Sequence, residues 1–117
     1  MSAVSGIRPF DPARDHAAVV SLWTEVLGYG SAHNAPELAI RKKLEAADGL
    51  FFVAETEGRL TGTVMAGYDG HRGWIYSLAV APGSRLRGIG RALLRHAEER
   101  LDALGCVKIN LQISGGN

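Results

Sequence analysis

The chain has 117 residues, which suits one domain, residues 1–117, with a modest core and leaves no room for a second. Hydrophobic residues at 46% and charged residues at 21% exclude a disordered chain, and a net charge of +1 excludes a generally basic, nucleic-acid-binding surface. A single cysteine, Cys106, excludes an internal disulfide and a cysteine zinc site and fits a reducing, cytoplasmic setting, while no run approaches the roughly 18 apolar residues of a membrane span and "MSAVSGIRPFDPARD" lacks an apolar signal core.

An extended segment is expected around Ile7–Phe10, where Pro9 restrains the backbone, followed by a helix with Asp11 as N-cap and Pro12 at its first position. Val19, Trp23 and Val26, with Val20, Leu22 and Leu27, recur at helical spacing until Gly28 and Gly30 stop the run. Asn34-Ala35-Pro36-Glu37 has the form of a capping box. It opens a second helix with Ile40, Leu44 and Ala47 as the apolar stripe and Arg41-Lys42-Lys43 as a solvated face. After Asp48-Gly49 the texture changes to strands: "LFFVAE", a tight turn at Glu57-Gly58, "RLTGTVMAGY", a turn at "DGHRG", and "WIYSLAV", which Pro82 ends. From Gly88 onward Ile89, Leu93, Ala97, Leu101 and Leu104 keep a helical rhythm as far as a glycine cap at Gly105, and "CVKINLQIS" reads as an alternating closing strand. This order predicts an α/β domain with a mixed sheet and helices on its faces.

The stretch "SRLRGIGRALL" places Gly88 and Gly90 where the third helix begins, among Arg85, Arg87 and Arg91. A helix N-terminus offers unpaired N–H groups and partial positive charge, so glycines that clear the approach and arginines that add charge suit a phosphorylated cofactor. A purely structural glycine turn is the plain alternative. A Walker loop is excluded because no Gly-Lys-Ser/Thr follows, and a Rossmann fingerprint fits poorly because Leu93 stands where the third glycine belongs.

Arg85 to Gly90 has the spacing Arg-x-x-Gly-x-Gly, preceded by the strand "SLAVAP" and continued by "RALL". In this the chain resembles the GNAT superfamily of acyl-CoA-dependent N-acyltransferases, and the order of the remaining elements extends the resemblance to essentially the whole chain. The resemblance implies the GNAT-like fold and acetyl-CoA as cosubstrate. Leu78, Ala79 and Val80 would lie along the pantetheine arm, and Arg85, Leu86, Arg87, Gly88, Ile89, Gly90, Arg91 and Ala92 around the phosphates. Leu86 stands where many members have glycine. The resemblance also implies that elements beyond the final strand are lacking: Asn117 matches the asparagine that opens the next helix, and the family's thiolate-protonating tyrosine would follow it. The expected fold is therefore C-terminally truncated, with an open edge that a second copy of the chain would cover.

The implied reaction is direct attack of a primary amine, on a small molecule or a protein, upon the acetyl thioester. It needs a route for the amine's proton and a donor for the developing oxyanion, for which a backbone N–H near Val80 is a candidate. Tyr76, on the strand that should line the cofactor, could bond the substrate or a water. His71, in the turn with Asp69 and Arg72, has the side chain that titrates near neutrality, and Glu55 at a strand end could act through water. Each also has a bland explanation: a strand aromatic, a solvated turn histidine, a charged strand end. The alternative to an enzyme is a catalytically silent acyl-CoA-binding module. No metal site is expected.

Overall fold

A computed structural model describes residues 6–27, 35–85 and 87–111. The strand β1 (Gly6–Pro9) leads into helix α1 (Pro12–Val26), whose N-cap Asp11 accepts from the Ala13 N–H at 3.1 Å, with proline at the first helical position as expected. Helix α2 (Ala35–Ala46) precedes the meander β2 (Phe51–Thr56), β3 (Arg59–Tyr68) and β4 (Gly73–Val80). A single 3₁₀ turn at Pro82–Ser84 follows, then helix α3 (Ile89–Ala103) and strand β5 (Ile109–Leu111). The expected stops at Gly28 and Gly30, the cap at Asn34 and the strand residues 112–114 lie outside the described residues.

The turns form for local reasons. Glu57 and Gly58 both take positive φ, 53° and 78°, the mirror-image turn whose twist matches a two-residue hairpin. Asp69 folds the next turn by accepting from the His71 and Arg72 N–H groups on one oxygen, at 2.8 and 2.7 Å. Gly105, at φ 93°, ends α3: its N–H bonds Asp102 and the Cys106 N–H bonds back to Leu101, satisfying two terminal carbonyls.

Strand order in the sheet equals chain order, β1-β2-β3-β4-β5, antiparallel throughout except that β4 and β5 run parallel across the α3 crossover. One face packs Phe52, Ala54, Val64, Ala66 and Ile75 under Ile89, Leu93, Ala97 and Leu101 of α3. The other packs Phe51, Val53, Met65 and Ala79 under Val19, Leu22 and Trp23 of α1 and Ile40 of α2. Two buried clusters on opposite faces of one sheet make this the mixed α/β fold the sequence predicts. Among the described residues no helix is long and apolar enough to cross a membrane.

Helix α2 departs from expectation. Leu44 is 40% exposed and Ala47 lies past the helix end at φ 51°, whereas Pro36, Ile40 and Lys43 are the buried positions. Steps of four and three place those three on one face, so a lysine occupies a core-facing position that the apolar stripe had assigned elsewhere. Arg41 and Lys42 are exposed as expected.

Candidate functional site

The site is organised by an irregularity in β4. Gly62 and Thr63 of β3 face Val80 and Ala79, but Met65 faces Tyr76, so Ser77 and Leu78 together oppose the single residue Val64. Ser77 takes up the extra length with φ 52°, a left-handed conformation rare for a side-chain-bearing residue and typical of a bulge. A buried relay holds it: the Trp23 indole N–H donates to the Thr63 hydroxyl at 2.8 Å, and that hydroxyl donates to the Ser77 carbonyl at 3.0 Å. The described pairing of β5 with β4 stops at Ile75, one residue before Tyr76.

At the far end of β4 lies a cavity of about 510 Å³ lined by Val80, Ser84, Arg85, Gly88, Ile89, Gly90 and Arg91. The α3 N-terminus there has no side-chain cap and no acidic residue in its first turn, so its leading N–H groups are not taken up by side chains. Gly88 enters the helix at φ 78°, a conformation that disfavours other residues, and a Cβ at Gly90 would lie 3.4 Å from Val80 Cγ2, narrowing the cavity floor. Uncapped N–H groups, a glycine floor and two lining arginines, Arg85 and Arg91, make a donor set that fits the phosphates of a coenzyme.

A second cavity, about 740 Å³, opens on the α1/α2 side and is lined by Met65, Trp74, Tyr76 and Ser77 of the sheet and by Ala39, Lys42 and Lys43 of α2, among others. Its size is that of a small-molecule site. Lys43 is buried in its wall, and its ammonium donates to Asp48 Oδ2 at 2.8 Å, to the Ala66 carbonyl and to the Tyr76 hydroxyl at 3.0 Å. Asp48 is itself committed, its other oxygen accepting from the Leu50 N–H at 3.0 Å. Asp69 also lines this cavity, and the Arg72 and His71 N–H groups on its carboxylate hold it below the usual carboxylate range.

The residues singled out from sequence fall into three groups. Val80, Arg85, Gly88, Ile89, Gly90 and Arg91 line the smaller cavity, with Ala92 in the next turn of α3; Arg87 is exposed beside them, and Leu78 and Ala79 continue β4 toward the bulge. Tyr76 lines the larger cavity. Leu86 and Asn117 lie outside the described residues. Glu55 has its carboxylate tied to Arg8 at 2.9 Å and Arg14 at 3.0 Å and borders a separate depression with Gly6, Ile7, Arg8, Glu57 and Gly58. His71 sits exposed in the turn whose Asp69 lines the larger cavity. Missing from the sequence reading were Lys43, Thr63 and Ser77. Steps of four and three from Pro36 could have pointed to Lys43.

The model of the acetyltransferase (GNAT) family matches residues 16–117. An acetyltransferase of Sodalis glossinidius is 46% identical over 103 residues, which cover 88% of this chain and 72% of the relative. An acetyltransferase of Pectobacterium atrosepticum matches with the same identity and the same coverage, 88% and 72%. Among solved structures, a GNAT family acetyltransferase from Brucella melitensis, determined in complex with acetyl-CoA, superposes with a TM-score of 0.71 at 22% identity, covering 91% of this chain and 73% of its own. The chain therefore belongs to the GNAT family and is an acetyltransferase with acetyl-CoA as its cosubstrate.

Proposed function

We propose that residues 1–117 form one domain that transfers the acetyl group to a primary amine, of a small molecule or a protein, by direct attack and without an acyl-enzyme. The observation that carries this reading is that β4 joins the two cavities, with Val80 in one, Tyr76 and Ser77 in the other and the bulge between them. Arg85, Arg91 and the α3 N-terminus would hold the phosphates, and the backbone of Leu78–Val80 the pantetheine arm. Acetyl-CoA supplies a thioester carbonyl as electrophile; the chain's part is to seat it and to orient the amine in the Tyr76 cavity.

Direct attack is supported by the surroundings of the one thiol. Cys106 is buried on the α3 face, where its Sγ donates to the Lys108 carbonyl at 3.2 Å, and it lines neither cavity. Asp48 has both oxygens engaged, by the Lys43 ammonium and the Leu50 N–H, and Asp69 is held below the usual carboxylate range by its own turn, which makes it a weak base; the amine's proton then departs to solvent through the open mouth of the cavity. A cytoplasmic location accords with the single buried thiol.

Calorimetric titration with acetyl-CoA, beside coenzyme A and ATP, tests the reading when combined with thiol release in the presence of amines. Saturable binding of both coenzyme forms but not ATP, with amine-dependent thiol release, is expected. Binding without release would make the chain an acyl-CoA-binding module, and no binding would remove the phosphate assignment.

A further inference from the structure

The ammonium of Lys43 has three hydrogens and three acceptors: Asp48, the Ala66 carbonyl and the Tyr76 hydroxyl. The Tyr76 oxygen is thus already accepting, and its own hydrogen finds no acceptor among the described residues. The ring is fixed as well, lying beside Gly67 of the neighbouring strand, where a Cβ would come within 3.8 Å of the phenol carbon and oxygen, and with Lys43 Nζ 5.3 Å from its centroid. With one side of the hydroxyl closed by Lys43, its hydrogen is left to the cavity that Tyr76 lines.

A donor directed into that cavity restricts what the acceptor molecule can be. The attacking nitrogen has one lone pair, which must be kept for the thioester, so a hydrogen bond from Tyr76 to that nitrogen would oppose reaction. The donor needs an oxygen. A second cation, exposed Lys42, lines the same cavity, whereas the charges of Lys43 and Asp48 are spent on each other. We infer that Lys43 is a positioning residue that makes Tyr76 an obligate hydrogen-bond donor, and that Tyr76, with Lys42, selects amines carrying a carboxylate or carbonyl oxygen close to the nitrogen. The inference rests on the amine-transfer reading above and specifies its substrate class: amino acids or their amides in preference to plain alkylamines.

The test uses the full chain with matched amines, L-alanine against ethylamine, L-leucine against 3-methylbutylamine and L-phenylalanine against phenethylamine, following thiol release from acetyl-CoA. The oxygen-bearing member of each pair should be favoured, and leucinamide separates the contribution of a carbonyl from that of a full negative charge. Tyr76→Phe should raise KM for the amino acid about three- to tenfold more than for the matched alkylamine, the worth of one hydrogen bond. Lys43→Met should reproduce that selective change in an otherwise parental chain and add nothing in the Tyr76→Phe background, because it acts through the hydroxyl. A folding defect would lower the apparent kcat for both members of a pair by the same factor, so the comparison of KM within one variant is unaffected by stability, which thermal unfolding monitors in parallel. Equal use of both members, equal damage to both by Tyr76→Phe, or preference for the alkylamine would each overturn the inference. Binding of acetyl-CoA with no transfer to any amine would instead overturn the amine-transfer reading beneath it, and no binding at all the phosphate assignment.

Discussion

Thr63→Val isolates the relay that holds the β4 bulge. Thr63 is fully buried, and valine matches its shape, so the substitution deletes the bond from Trp23 and the bond to Ser77 without opening a cavity. Two buried hydrogen bonds at about 0.5–1.5 kcal/mol each predict a loss of about 1–3 kcal/mol. For a chain of this size, at about 4 °C per kcal/mol, the midpoint of thermal unfolding should fall by about 4–12 °C. The loss should reach function too. Ser77 sits in a conformation that costs about 1–3 kcal/mol and persists only while its surroundings enforce it. With its carbonyl released the bulge relaxes, and acetyl-CoA affinity should weaken about fivefold or more. Circular-dichroism melting and calorimetric titration measure the two effects, with Thr24→Val as a control, since the Thr24 hydroxyl only bonds back to Val20 on the exposed face of α1. A Thr63→Val chain that melts and binds acetyl-CoA like the parent would refute the argument that this relay shapes β4.

Gly90→Asp should abolish coenzyme binding in the same titration while the fold survives, because the added Cβ points at Val80 and the carboxylate puts negative charge at the α3 N-terminus. Gly62→Ala should destabilise by about 1–3 kcal/mol in chemical denaturation, since a Cβ there would stand 2.8 Å from Leu93 Cδ1, 3.0 Å from the Ala79 carbonyl and 3.2 Å from Ile89 Cγ2. Buried Asp15 pairs with Arg8 at 2.7 Å and also accepts from the Asp11 N–H, and the Arg8 guanidinium holds its carboxyl below the ordinary value of 3.8. Above that value both folded and unfolded chains are ionised there and the contribution is complete. Below it the unfolded chain takes the proton first, so stability falls toward the folded-state pKa; Asp15→Asn should lower stability at neutral pH and flatten this acid limb in pH-dependent melts.

The elements were legible because their signals are local. Asp11-Pro12, Glu57-Gly58, Asp69 and Gly105 each act within a few residues, and each appears in the role its residue type suggests. That one stretch gathers around the smaller cavity was legible for the same reason: its glycines and arginines lie close together in sequence. Lys43 was misread because its three partners come from Asp48, Ala66 and Tyr76, and a lysine's burial depends on partners that no local pattern shows. The pairing of Glu55 was hidden likewise, since its partners Arg8 and Arg14 lie 47 and 41 positions away. The bulge left no mark either: a serine within an apolar strand gives no sign of positive φ, and the cause lies in Trp23 and Thr63 on other elements.

A sheet whose spatial order equals its chain order also has a history of assembly written into it. The hairpins β2–β3 and β3–β4 close loops of only two and four residues, so their contacts form at little entropic expense and can zip up one strand at a time. The pairing of β4 with β5 must wait until α3 has crossed over and docked. The smaller cavity, built from the end of β4 and the start of α3, lies where the early hairpins meet this late crossover. Its two walls belong to different stages of folding, and a ligand that bridges them clamps together the parts of the chain that come together last.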